Sequence, residues 1–256
     1  MDIAAIVSAH LDSLREPHVT SDPEPHAYAS EAGKCSRAIG FRVAGVPPTE
    51  ELDLTGKFAM WLGRVIHQMV QDAITAKYPT MVAEAPWRAD GVSGRADLSG
   101  GLSIEAPLDE DQVSEIKTIA PFGFEKAVTG TRGAQPEGPD RAHVLQGMLS
   151  AHALGIALVE PIYVNKAAGA GKPVFHSWEI PYDVKWQGAV QVELERLRGI
   201  VAQVKNGHLP PRIFEGEIIT NPGLVKWPCD YCPWLGACVE LPSGEVDESY
   251  GWKGAE

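Results

Sequence analysis

All four cysteines of the 256-residue chain fall into one arrangement, with Cys35 near the start and Cys229, Cys232 and Cys238 near the end as C-x2-C-x5-C. Thiolates that meet only when the two ends of the chain meet suit a metal centre that closes a fold. Between them run Gly63-x-x-x-His67, Asp97, Glu115-Ile116-Lys117 and Gln146. Alternate residues of a strand share a face, so Glu115 and Lys117 point one way and Ile116 the other. If the strand of Asp97 pairs with that of Glu115, opposed Cβ atoms come within about 5 Å, and the two carboxylates converge on one hard divalent cation. With a backbone carbonyl they make an oxygen-rich Mg²⁺ or Mn²⁺ site. Such an ion lowers the pKa of a bound water, orients a phosphodiester and offsets the charge of an in-line displacement. Lys117, within about 3 Å of the scissile phosphate, would position the nucleophile or stabilise the developing oxyanion. Gly63 lies one turn before His67 on a helix and leaves room above the imidazole, whose presence beside carboxylates makes Mn²⁺ more competitive.

Each fragment alone has a plainer reading. A single helical histidine is more often a satisfied, half-buried residue, and Asp…Glu-x-Lys recurs by chance on surface strands. C-x2-C alone suits zinc as well as iron and sulfur, so the residues leave open a [4Fe–4S] cluster, a four-thiolate zinc site and unligated thiols, any metal being structural. The balance of 22 basic against 34 acidic residues, a formal −12, excludes a globally basic coat for nucleic acid. Positive charge is local instead, at Lys34, Arg37 and Arg42 and at Lys126, Arg132 and Arg141. Trp227, Tyr231 and Trp234 surround the cysteine triplet and are expected to form its hydrophobic shell rather than a stacking platform, and Trp61 and Trp186 to be core. The N-terminus has an acid where a signal peptide would have basic residues and no apolar run approaches about 18 residues, so no membrane partner is expected, and four cysteines that read as metal ligands rather than two disulfides point to a reducing, cytoplasmic compartment.

The positioning elements follow from periodicity. Apolar residues at Ile3, Ile6, Val7, Leu11 and Leu14 predict a helix over about 2–15, and a Pro-, His- and Ser-rich connector follows to about Ser30. Trp61, Leu62, Val65, Ile66, Met69, Val70, Ala73 and Ile74 predict a helix over 57–78 with a broad buried stripe. Runs at Met81–Trp87, Val92–Leu98 and Val113–Ile119 predict three strands of one antiparallel sheet. Residues 120–140, rich in Gly and Pro, read as a mobile loop. A helix is expected over 141–154 with Gly155 ending it, strands at 158–165 and 174–180, and a helix over 184–205.

The series Gly63-x-x-x-His67, Gly94-Arg95-Ala96-Asp97, Glu115-Ile116-Lys117 and His143-x-x-Gln146 resembles the PD-(D/E)XK nuclease core of RecB-type enzymes. Ser30-x4-Cys35-Ser36-Arg37 with the C-terminal cysteines resembles its iron–sulfur branch, the CRISPR-associated and phage-carried RecB-like exonucleases and AddAB-type nuclease domains. The resemblance spans roughly residues 30–240. It implies an α/β restriction-endonuclease-like core with a mixed sheet and flanking helices over 57–183. A helical iron–sulfur subdomain would be built from 1–56 and 184–256. His67, Asp97, Glu115 and the carbonyl of Ile116 would hold the catalytic Mn²⁺ or Mg²⁺, Lys117 would be the catalytic lysine, and Gln146 would orient it or the substrate. Cys35, Cys229, Cys232 and Cys238 would hold a [4Fe–4S] cluster. Arg37, Arg95, Arg141 and Ser150 are the expected DNA contacts, Ser150 standing where the family usually has Tyr. Single-strand DNA exonuclease activity, 5′ to 3′ favoured, some endonuclease activity, and a recombination, repair or CRISPR-adaptation protein partner are what the resemblance carries. A non-catalytic DNA-end-binding module, or a zinc-stabilised structural protein, is the rival expectation.

Overall fold

The computed structural model describes residues 24–101, 111–131, 134–212 and 232–241, together with Val7, His10, Leu11, Ser13 and Cys229. The described residues of the expected first helix are helical, and the rest of it lies outside the described set, as do Arg132, Trp227 and Tyr231. The chain divides into two units, one of Met1–Ala27, Lys34–Ala59 and Glu195–Glu256, the other of Tyr28–Gly33 and Met60–Leu194. No helix among the described residues is long and apolar enough to cross a membrane.

Where the sequence suggested only a connector, there is a two-residue strand β1 (Ala27–Tyr28) and a 3₁₀ turn (Ala29–Glu31), and a helix α1 (Ser36–Val43) follows where no element was expected. The long helix α2 runs Leu54–Lys77, bounded close to expectation. Its buried line is narrower than the sequence stripe. Val70, with Ile66 and Ile74, packs on the sheet residues Leu98, Ile116, Ile162 and Val164, whereas Trp61, Val65 and Met69 are exposed. Only one row of a helix fits one flat face of a sheet, so the flanking apolar rows stay outside it.

Strands β2 (Val82–Ala89) and β3 (Val92–Gly100) form a hairpin across Asp90-Gly91, both at positive φ, which matches the right-handed strand twist. β3 pairs antiparallel with β4 (Gln112–Ile119), as expected for these three runs. β4 then pairs in parallel with β5 (Leu158–Asn165) over eight residues, so the whole sheet is mixed. A parallel pair needs a crossover, and here it contains two helices, α3 (Pro121–Val128) and α4 (Arg141–Leu154). Helix α3 stands inside the stretch expected to be a mobile loop. Pro121 sits at its first turn, where a missing N–H costs nothing, and Phe124 and Ala127 pack on Tyr163.

Helix α4 has its expected ends because Asp140 accepts from the N–H of Ala142 and Gly155 takes φ +73. It lies on the sheet face opposite α2 and approaches closely at Gly147, where a Cβ would stand 2.6 Å from Val159 and 3.6 Å from the Cβ of Glu115. The expected strand at 174–180 is split into β6 (Phe175–Ser177) and β7 (Ile180–Pro181), both antiparallel to β5. Helix α5 (Val184–Lys205) follows with Val190, Leu194, Leu197, Val201 and Val204 buried, and Trp186 only half-buried rather than core.

In the other unit α1 buries Ile39, Phe41 and Val43, and a short helix α6 (Leu235–Glu240) lies near the C-terminus. The two ends of the chain are tied there by backbone and side-chain bonds. Thr49 and Glu50 donate to the carbonyl of Pro233 (2.8 and 2.9 Å), and the indole of Trp234 donates to the carbonyl of Val46 (2.8 Å).

Candidate active site and cysteine cavity

The β3–β4 ladder runs through Gly100↔Gln112 and Ser99↔Val113 to Leu98↔Ser114 and stops. The next residues, Asp97 and Glu115, lie where the two strands part. Their side chains project to the face opposite Leu98 and Ser114. Freed from a strand partner, the N–H of Ile116 donates to Asp97 Oδ2 at 2.7 Å. Glu115 is 0% exposed, and its Oε1 accepts from Lys117 Nζ at 2.5 Å while its Oε2 has no hydrogen-bond partner among the described residues. Lys117 Nζ also donates to Gln146 Oε1 at 3.0 Å, from the first half of α4. His67, on α2, brings Nδ1 to 3.8 Å from Asp97 Oδ2. Gly63, a turn earlier, faces the hydroxyl of Thr118 rather than the imidazole, with room for a Cβ at 3.4 Å. The sequence-selected His67, Asp97, Glu115, Ile116, Lys117 and Gln146 therefore meet at one place.

Charge there is out of balance in the direction a cation would correct. Burial pushes the carboxyl of Glu115 from 4.5 up to about 8, with Asp97 adding to the shift and Lys117 opposing it. Burial also raises Asp97, against the pull of His67 and Lys117. The imidazole of His67 is held below its ordinary value, first by burial and then by Lys117, although Asp97 opposes this, which keeps it a neutral potential ligand.

Sequence reasoning missed two residues of this site. Glu84, on β2, has φ +52, a left-handed conformation that a residue with a Cβ rarely adopts, and it interrupts the β2–β3 register opposite Asp97. It lies close enough to influence His67, Asp97 and Glu115 electrostatically. Gln71, buried on α2, fixes it by donating to Glu84 Oε1 at 2.8 Å and to the Asp97 carbonyl at 2.9 Å. The signal was the Asp90-Gly91 turn: counting back along the hairpin from Ala89↔Val92 sets Glu84 against Asp97.

The expected DNA contacts divide. Arg95 is at the surface, 67% exposed, beside Glu84 Oε2 at 3.5 Å, and Arg141 lies exposed over the ring of Trp186 at 5.6 Å. Ser150 is 0% exposed and accepts the indole N–H of Trp87 at 2.9 Å, so it holds a core aromatic and does not face solvent. Ser150→Ala is expected to destabilise the protein by about 1–3 kcal/mol, because the buried indole N–H is left unpaired. Thermal unfolding should then move down by roughly 2–4 °C per kcal/mol.

Arg37 is also interior, at 1% exposure in α1. It lines a cavity in the terminal unit together with Cys35, Arg212, Cys229, Cys232 and Cys238. None of the four thiols is in a disulfide, and burial, with the other three cysteines adding to it, pushes Cys232 up to about 11. Among the described residues no three His, Cys, Asp or Glu side chains stand as a preassembled metal site. The fit is instead in the donors that share this cavity.

No family model matches the chain, and no curated protein matches it. Solved structures do. The crystal structure of SSO0001 is similar with a TM-score of 0.52 at 13% identity, over 96% of this chain and 98% of that one, a likeness of fold alone. An alkaline exonuclease from Laribacter hongkongensis, LHK-Exo, gives a TM-score of 0.48 at 13% identity over 71% of this chain and 91% of that one. The same exonuclease in complex with dAMP gives 0.46 at 15% identity over the same shares.

Proposed function

We propose that the chain is a divalent-metal-dependent deoxyribonuclease with a restriction-endonuclease-like core, of the RecB-like iron–sulfur type, acting on single-stranded DNA from its ends. The observation that carries this reading is the buried Glu115, with one oxygen on Lys117, the other unpartnered, and Asp97 beside it where the strands separate. Asp97, Glu115, His67 and the carbonyl of Ile116 would hold Mn²⁺ or Mg²⁺, which when bound supplies a Lewis acid and a water of lowered pKa. In the absence of the ion Glu115, raised to about 8, holds a proton at neutral pH, and Lys117 Nζ rests against its Oε1. The Lys117 ammonium, kept in place by Gln146, is then available to orient the attacking water and to stabilise charge growing on the phosphate oxygens. Gln71 holds both the backbone carbonyl of Asp97 and the side chain of Glu84, which adds a third carboxylate at the rim. Arg95 and Arg141, both exposed, supply local positive charge for a strand on a chain of net −12. The four cysteines would hold a structural [4Fe–4S] cluster joining the two ends of the chain.

The test is degradation of 5′-labelled and 3′-labelled single-stranded DNA with Mn²⁺, Mg²⁺ or EDTA. Metal-dependent shortening from the 5′ end is expected. Protein with a full cluster that cuts no substrate would remove the catalytic assignment and leave a DNA-end-binding module.

A further inference from the structure

The cysteine cavity also contains two buried guanidiniums. Arg37 donates through its terminal nitrogens to the carbonyls of Pro210 (2.8 Å) and Leu241, and is hydrogen-bonded to the Cys238 side chain. Arg212 donates to the carbonyls of Cys238 and Val239 (3.0 Å for the latter). The two are near enough to repel each other, and among the described residues no carboxylate lines the cavity. The Nε of each is buried with no hydrogen-bond partner in the described residues. Neutral carbonyls satisfy N–H groups but do not offset charge, and two uncompensated cations in one interior pocket are costly.

A centre of four thiolates on a doubly positive core carries two negative charges, whether the core is [4Fe–4S]²⁺ or Zn²⁺. We propose that Arg37 and Arg212 are the built-in counter-cations of a four-thiolate centre, directing their free Nε–H donors at its sulfurs and favouring its more reduced, more negative state. This rests on the cysteines being metal ligands. It assigns Arg37 and Arg212 to the metal centre, in place of the DNA contact that sequence suggested for Arg37. Hydrogen bonds and net charge around cluster sulfurs are established determinants of reduction potential.

The experiment uses full-length protein purified anaerobically and reconstituted with iron and sulfide, as wild type, Arg37→Gln, Arg212→Gln and Arg212→Lys. Each is titrated with dithionite and mediators while the cluster absorbance is followed. Each Gln variant is expected to be roughly tenfold harder to reduce at a given potential, a midpoint about 59 mV more negative for one electron. Arg212→Lys, which keeps the charge, should stay within about threefold of wild type. Equal midpoints in wild type and Gln variants with full iron and sulfide overturn the proposal. If the Gln variants do not accumulate as folded protein, Arg212→Lys decides. A midpoint near wild type supports the charge argument, and a tenfold fall overturns it. If wild type holds zinc instead, zinc loss to a chelator should be roughly tenfold faster in the Gln variants, and equal rates overturn the proposal. Wild type holding neither metal overturns the cysteine assignment and this inference with it. DNA cleavage bears on neither outcome.

Discussion

Lys117→Ala is expected to lower metal-dependent cleavage of single-stranded DNA by at least about 10³-fold, some 4 kcal/mol of transition-state stabilisation. The side chain makes two contacts, to Glu115 Oε1 at 2.5 Å and Gln146 Oε1 at 3.0 Å, so its position is fixed by groups that themselves sit on β4 and α4. In the proposed reaction a positioned cation beside the carboxylate pair matters most when charge builds on the phosphate, a moment that ground-state binding does not report. DNA affinity should therefore change little, as read by filter binding in EDTA. The fold should also survive, because Glu115, already raised to about 8 by burial, keeps a proton at neutral pH once its lysine is gone. Far-ultraviolet circular dichroism checks that. Asp97→Ala should cost a similar amount by a different route, through loss of the anionic ligand proposed for the cation and of the acceptor for the Ile116 N–H. Gln146→Ala should cost less, about 10-fold to 100-fold, because it releases the lysine without removing it. Wild-type rates in Lys117→Ala would show that the chemistry lies elsewhere.

The parts of this site that were legible in sequence are those set by local rules. Asp140 and Gly155 punctuate α4, and with the helix in phase Gln146 comes to Lys117 while Gly147 lets the helix approach Val159. Period-two alternation in β4 puts Glu115 and Lys117 on one face and Ile116 on the other, where Ile116 joins the core. What was not legible depends on tertiary context. Helix α3 lies in a Gly- and Pro-rich stretch and is held by packing of Phe124 and Ala127 on Tyr163, a residue far along the chain. The place of Glu84 opposite Asp97 follows from the Asp90-Gly91 turn and the hairpin register, but the positive φ that breaks the ladder there is not announced by its neighbours. Arg37 was expected at DNA because it stands in a basic cluster beside Cys35, and Ser150 because it occupies the position where the resembled family usually has Tyr. Their burial follows from partners such as Pro210, Leu241 and Trp87 that no short window contains.

Without added divalent cation, the stability of the protein should fall as pH rises from 7 to 9. The carboxyl of Glu115 holds its proton more tightly folded, at about 8, than unfolded, near 4.5, chiefly because burial disfavours its charge and Asp97 repels it. A raised folded value contributes stability that is fully present below the unfolded value and is lost as pH climbs through the folded one. His67 runs the other way, since its lowered value makes stability increase with pH, but only up to its unfolded value of 6.5. The window from 7 to 9 is therefore dominated by Glu115, and the loss across it is about 1–2 kcal/mol, or roughly 3–6 °C in Tm. Glu115→Gln, which cannot ionise, should flatten this slope, and a slope that persists in the variant would place the titrating group elsewhere. Mn²⁺ should reverse the trend in wild type. An anionic ligand must shed its proton to bind, so calorimetric titration at pH 7 should show uptake of Mn²⁺ with release of close to one proton, read from the dependence of the heat on buffer ionisation. At pH 9 that proton is already gone, and the same titration should show tighter binding with almost no proton release. Equal proton release at the two pH values would mean that Glu115 does not meet the cation.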